Sequence, residues 1–299
     1  MHAFLFNELV LNVTLSPRGP MLVKSGAGAE TVDPTLPDMN FVRYQTGAGE
    51  QEVYVPGSSL RGVLRSHAEA LLRSLDPNWA CFSVGKVPEG RGWLKACSDG
   101  LPSGKDMDGP AAYRKSCRAC RLFGNTVVAS RLQVGDLYPN GKTALATRFG
   151  VAIDRVTGAV AVGPFELETL TEGEFSGRIR LTNFTLEQLG LLAATLLDVA
   201  EGLVPVGFGK SRGLGRVKLT FPAVGYRSSQ PENGKIRGLE SLVKTELLEQ
   251  YGIRPSQESL DAPGLTCSRP LAFGELPPEG VPGVLERAAT AWSKAAMAS

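Results

Sequence analysis

The sequence predicts an α+β fold in which one β-sheet carries helices on one face. Three observations predict it: a period-two apolar alternation near the N-terminus, two segments with helical periodicity, and the order strand, helix, strands, helix, strand. The 299 residues, 42% hydrophobic and 21% charged, are ample for a buried core. The longest apolar runs, such as 189–199, are broken by Gly or Asp well short of the roughly 20 residues a membrane span needs. No membrane span is expected.

Residues 4–15 place Leu9, Leu11, Val13 and Leu15 on one face, as a half-buried strand does. The Gly- and Pro-rich stretch 16–51 is too long for a turn and is expected to be a functional loop. Residues 53–55 read as a short strand, Pro56-Gly57 as a turn, and Ser58 or Ser59 as the N-cap of a helix with apolar positions Leu60, Val63, Leu64, Ala68, Leu71, Leu72 and Leu75. Residues 76–120 lose periodicity and hold four of the five cysteines, so they read as an irregular insertion ordered by something other than a core. Short strands follow within 126–134 and 159–184. Thr185 and Gln188 are spaced as a capping box for a second helix, which Gly202 stops. The glycine-rich 207–215 leads into a strand at 216–221. Beyond Pro222, residues 227–234 read as a linker to helical pieces near 235–251 and 282–298. The expected division is a core at 1–225 and a helical extension at 226–299. The element order is compatible with a ferredoxin-like or RNA-recognition-like core.

The formal net charge is only +2, but the basic excess is local, with 14 Lys and Arg against 7 Asp and Glu over residues 61–150. The N-terminal residues lack a basic n-region and a small-residue cleavage pattern, so a cytoplasmic location is expected. In that setting the odd set Cys81, Cys97, Cys117, Cys120 and Cys267 argues for metal binding over disulfides. Cys117-Arg-Ala-Cys120 is the tight half of a structural zinc site, with Cys97, Cys81 and His67 as completions. His67 reads equally as a satisfied core histidine, and Cys267 as a small buried hydrophobe.

Two segments suit a polyanion. Unpaired N–H groups at a helix start, the hydroxyls of Ser58 and Ser59, and nearby Arg61 and Arg65 would cradle a phosphate, although an ordinary capped helix has the same composition. In Gly207-Phe-Gly-Lys-Ser-Arg-Gly-Leu-Gly215, four glycines permit close backbone approach while Lys210 and Arg212 flank Ser211 with charge. The P-loop spacing is absent, and these glycines precede a strand rather than a helix. Aromatic residues are 7% of the chain, so a base-stacking platform is not evident, and Phe123, Phe149 and Phe208 are expected in the core.

Four blocks, VYVPGSSLRGVLRSHAE at 53–69, CRACRLFG at 117–124, RFGVAIDRVTGAV at 148–160 and GFGKSRGLGRVKL at 207–219, together resemble the RAMP superfamily of CRISPR-associated proteins, in particular the backbone subunits of type III effector complexes. The resemblance spans residues 4–221. It implies a modified RNA-recognition fold with a zinc-binding insertion and a hairpin thumb at about 148–182. It also implies assembly along a CRISPR RNA with other RAMP and effector subunits, further copies included, and contact with target RNA. Arg43, Ser58, Ser59, Arg61, Arg65, Arg155, Lys210, Ser211 and Arg212 are the residues it points to for RNA.

Catalytic relatives carry an acid in the loop after the first strand that supports metal-dependent cleavage of target RNA with Mg²⁺ or Mn²⁺. Asp38, followed by the apolar-basic Phe41-Val42-Arg43, is the better match here, and Asp33 the other. On residue type alone, both are turn formers beside prolines. A two-histidine ribonuclease is excluded, because the chain holds only His2 and His67 and the first of them sits at the N-terminus. The competing readings are a purely structural RNA-binding subunit and a free-standing zinc enzyme. The latter needs an open metal position that three or four thiolates rarely leave.

Overall fold

A computed structural model describes residues 3–24, 37–82, 95–99 and 108–297; Asp33 and much of the expected insertion lie outside the described residues. Strand β1 (Asn7–Pro17) is followed by the hairpin of β2 (Arg43–Gln45) and β3 (Gln51–Val53), then helix α1 (Gly57–Leu75). Short helices α2 (Gly109–Lys115) and α3 (Arg118–Phe123) precede β4 (Leu132–Val134) and β5 (Tyr138–Pro139). A long hairpin of β6 (Ala144–Ile153) and β7 (Val160–Glu172) comes before β8 (Phe175–Thr182), α4 (Leu186–Ala200) and β9 (Val217–Ser228). The remainder contains β10 (Lys235–Arg237), α5 (Leu239–Leu242), α6 (Thr245–Gln250), β11 (Ser259–Asp261), β12 (Gly274–Leu276) and α7 (Val281–Met297).

The main sheet is antiparallel, in the order β12-β9-β1-β8-β4, with β5 also on β8. The alternation in β1 buries Leu9, Leu11, Val13 and Leu15, which meet Ile179 and Leu181 of β8 and Leu219 and Val224 of β9 in one core with α1, α4 and α7. In α1 Leu60, Val63, Leu64, Ala68 and Leu72 of the expected stripe are buried and Leu71 is half-buried, while Leu75 in the last turn is 45% exposed. The helix starts at Gly57, with Pro56 as N-cap and no side-chain cap, rather than at Ser58 or Ser59. The reason is tertiary: the Asp136 carboxylate accepts the Gly57 N–H at 2.8 Å, and a Cβ at Gly57 would lie 2.2 Å from the Val134 carbonyl oxygen. Helix α4 has the expected capping box between Thr185 and Gln188, and Gly202 adopts φ +78° just past its end.

Two expectations change. Strand β9 does not stop at Phe221 but runs to Ser228, because the β1–β9 register shifts between Asn12 and Thr14, leaving Phe221 and Pro222 in a bulge where proline's missing N–H removes no ladder bond. The expected boundary at 225 therefore falls inside a central strand. The residues beyond it are not a separate helical extension: β12 adds to the sheet beside β9, and Val281, Val284, Leu285, Ala288 and Trp292 of α7 join the main core.

The β6–β7 hairpin departs from the layered pattern. Phe149, Val151, Ile153, Val160 and Val162 are all exposed, so Phe149 is not the core residue its type suggested, whereas Phe123 is fully buried. The Asp154 carboxylate accepts the N–H groups of Val156 and Thr157 at the tip, which holds that carboxyl below its usual range.

Helices α4 and α7 meet at Gly190, where a Cβ would stand 2.4 Å from the Trp292 Cβ and 2.6 Å from the Ala288 carbonyl oxygen. Gly190→Ala must separate them, and urea unfolding should show a loss of about 2 kcal/mol, within the usual range for overpacking. An unchanged midpoint would mean that α7 is not part of the folded core.

Candidate functional site

The insertion brings four cysteines together. Cys81, just past a 3-10 turn that follows α1, Cys97, and Cys117 and Cys120 at the start of α3 have sulfurs all within 4.8 Å of one another, with Cys81 and Cys120 at 3.6 Å. Tetrahedral zinc with Zn–S bonds of about 2.3 Å sets its sulfurs about 3.8 Å apart, so the four fit that ion. The backbone is arranged for thiolates as well. The N–H groups of Cys81 and Cys120 point at the Cys117 sulfur at 3.4 Å, and that of Cys117 at the Cys97 sulfur at 3.2 Å. Hydrogen bonds from Cys120, then from Cys81 and Cys97, pull the Cys117 thiol well below its ordinary pKa. His67 is not a fifth candidate, because its Nε2 lies 2.5 Å from Asp198 on α4. Cys267 stands apart and half-buried.

Three arginines expected on RNA are engaged internally. Arg61 donates to the Phe123 carbonyl; Arg65 donates to the Gly124 carbonyl at 2.9 Å, the Glu69 carboxylate at 2.8 Å and the Cys120 sulfur at 3.4 Å. Both fasten α1 to α3. Arg43 makes a two-pronged pair with Glu168 of β7 at 2.9 and 2.5 Å. Ser58 is exposed and Ser59 half-buried, but the Asp136 carboxylate already sits at the helix start, where an anion was expected. Nothing local in the sequence signals Asp136 or Glu168, which lie 79 and 125 positions from their partners.

The glycine-rich loop keeps its cations outward. Gly209 and Gly213, both at positive φ, bracket a 3-10 turn Lys210–Arg212 whose three residues are exposed. Gly207 and Gly215 allow the loop to lie on the chain after β1: a Cβ at Gly207 would stand 2.3 Å from the Leu22 carbonyl oxygen, and Phe208 donates to that oxygen at 2.7 Å. This seats the loop beside the middle of β7 in the β6–β7 hairpin, with the Arg212 guanidinium 5.8 Å from the Phe165 ring centroid. The exposed Asp38 reaches the same stretch of β7, where its Oδ2 accepts the Glu166 N–H at 2.8 Å and the Met39 N–H donates to the Glu166 carbonyl. Asp38 and Arg212 thus flank consecutive residues of β7, and Arg155 is exposed at the distal tip.

The antiparallel sheet with helices on one face, the glycine-rich loop ending in a strand and the cysteine-centred insertion accompany a family match that makes the chain a CRISPR-associated RNA-binding protein. The chain belongs to the RAMP superfamily, whose family model matches residues 14–218. No curated protein matches the sequence. Among the described residues, no helix is long and apolar enough to cross a membrane.

Freshly prepared protein should carry about one zinc per chain by elemental analysis, since four thiolates in this geometry form a closed site. Cys117→Ser with Cys120→Ser should remove the metal and reduce soluble yield. Zinc-free wild-type protein of full stability would refute the assignment.

Proposed function

We propose that this chain is a CRISPR RNA-binding backbone subunit of a type III effector complex that also cleaves guide-complementary target RNA. In this reading its partners are the guide, the target, other RAMP and effector subunits, and further copies of itself. The observation that carries it is a convergence midway along the hairpin: an exposed carboxylate, a cationic glycine-rich loop and exposed apolar side chains of the hairpin meet around Phe165 and Glu166. The hairpin is the thumb of this proposal, its apolar side chains suited to displacing a base, and Lys210, Ser211 and Arg212 hold phosphates.

Attack of a 2′-hydroxyl on the adjacent phosphorus needs alignment of the attacking and leaving oxygens. Asp38 is fixed by the Glu166 N–H through one oxygen, leaving Oδ1 to face the RNA. A hard divalent ion, Mg²⁺ or Mn²⁺, needs only one or two protein carboxylates when substrate phosphates complete its shell, and it supplies charge stabilisation there.

The same hydrogen bond supports a second reading, a non-catalytic subunit in which Asp38 simply ties the loop to β7. Asp38→Asn separates the two, because it preserves an acceptor for Glu166 and removes the charge. In the assembled complex with Mg²⁺, Asp38→Asn should slow the cut assigned to this subunit by about a hundredfold or more while target binding stays near wild type. Normal cutting by Asp38→Asn favours the structural subunit; cutting lost in Asp33→Ala but kept in Asp38→Asn moves the role to Asp33. Chelator should stop the cut without releasing the target.

A further inference from the structure

We propose that the sheet face opposite the helices is a second RNA-binding surface, a track for single-stranded RNA that continues from the glycine-rich loop. The inference rests on the reading that this chain binds RNA. Positions alternating with the buried set on β1, β8 and β9 face away from the core, and the cations there are Arg178, Arg180, Lys218 and Arg227. Arg18 and Arg216 carry the alternation just beyond the strand ends, where the Arg18 N–H donates to the Arg216 carbonyl at 2.8 Å.

The acids in these rows are few. Glu8 is 3% exposed beneath Arg227 at 2.6 Å and Arg180 at 3.4 Å, and Glu275 lies on the edge strand β12 opposite Gly225. Arg18, Arg178, Arg216 and Lys218 have no carboxylate partner among the described residues and are exposed. Thr14, Ser176 and Thr220 lie among them with their hydroxyls.

Aromatic rings stand at both margins of the face. Phe273, 45% exposed, lies over Gly225, where a Cβ would meet its ring at 3.2 Å, and beside the Arg227 guanidinium at 4.6 Å. Tyr138, 46% exposed, pairs with Ser176, and its ring packs on Tyr44 at 4.9 Å and Tyr54 at 6.0 Å. Cations in rows with stacking rings at the margins are the makings of a single-strand site. An acidic protein partner would need a desolvated apolar centre, and the outward row of the central strand β1 holds a single apolar side chain, Val10, among Glu8, Asn12, Thr14 and Ser16.

The test is binding of a fluorescent oligouridylate of about 15 nucleotides to the full chain across a salt series. Arg178→Ala/Arg216→Ala/Lys218→Ala removes three side chains without an ion-pair partner. It should weaken binding about tenfold and flatten the slope of log K against log salt by about 2, at roughly 0.7 per lost phosphate contact. Phe273→Ala should weaken binding about fivefold with the slope unchanged, as stacking requires. Lys210→Ala/Arg212→Ala is the reference: if it has no effect while the triple variant does, the loop assignment fails and the face stands. Wild-type affinity and slope in the triple variant, with the melting midpoint unchanged, overturn the proposal, as does a defect confined to assembly with other subunits. Should the triple variant unfold, Arg178→Ala alone must still flatten the slope by about 0.7.

Discussion

Strand β1 hydrogen-bonds along both edges, to β8 and β9, and the register of those two ladders is the constraint on which the rest of the molecule depends. Side chains alternate across a strand, so slipping either partner by one residue would exchange its two faces. Leu181 and Ile179 would leave the core, and Arg178 and Arg180 would enter it. Burying guanidinium groups without acids is costly, and leaving leucine and isoleucine in water adds to that cost. Core and cationic face are therefore fixed by one register. The bulge at Phe221 and Pro222 belongs to the same constraint, since it restores the alternation for Val224 and Tyr226 after the proline.

Helix α1 transmits this order to the insertion. One side packs on the sheet core, and another side carries Arg61 and Arg65 to the carbonyls at the end of α3. Because Arg65 also touches the Cys120 sulfur, the cysteine cluster is tied to the core by a charged group suited to the negative charge of four thiolates. The arrangement explains how a segment without apolar periodicity is placed: its ends are fixed by α1 and α3, and the sulfurs converge between them. It also explains why Arg65 is a poor candidate for a nucleic-acid ligand. A guanidinium that already satisfies a carbonyl, a carboxylate and a sulfur has few donors left.

What the sequence made legible was local. The period-two run of β1, the stripe of α1, the Thr185–Gln188 box and the cysteine spacing each concern residues a few positions apart, and each appears where expected. The misread features depend on distant partners. Pro222 looked like a strand end because its bulge exists only opposite Val13; Arg43 looked available because Glu168 lies 125 positions away. The tyrosines 44, 54 and 138 come from three separate segments, so a low aromatic content concealed a cluster. The family match likewise ends at residue 218, although the segment beyond supplies β12, Phe273 and the helix that covers α4.

The geometry of the sheet edges narrows how the chain can associate. At one margin β12 has three residues; at the other, β4 has three and β5 two. Such short edges offer few free N–H and C=O groups and make strand addition a weak mode of assembly. The long strands of the β6–β7 hairpin, by contrast, satisfy their backbones against each other and project Phe149, Val151, Ile153 and Val162 outward. Exposed apolar side chains grouped on a two-stranded element mark a surface for a partner. In the proposed reading protein or nucleic-acid bases cover it without competing for the sheet, which leaves the cationic face free for the backbone of an RNA at the same time.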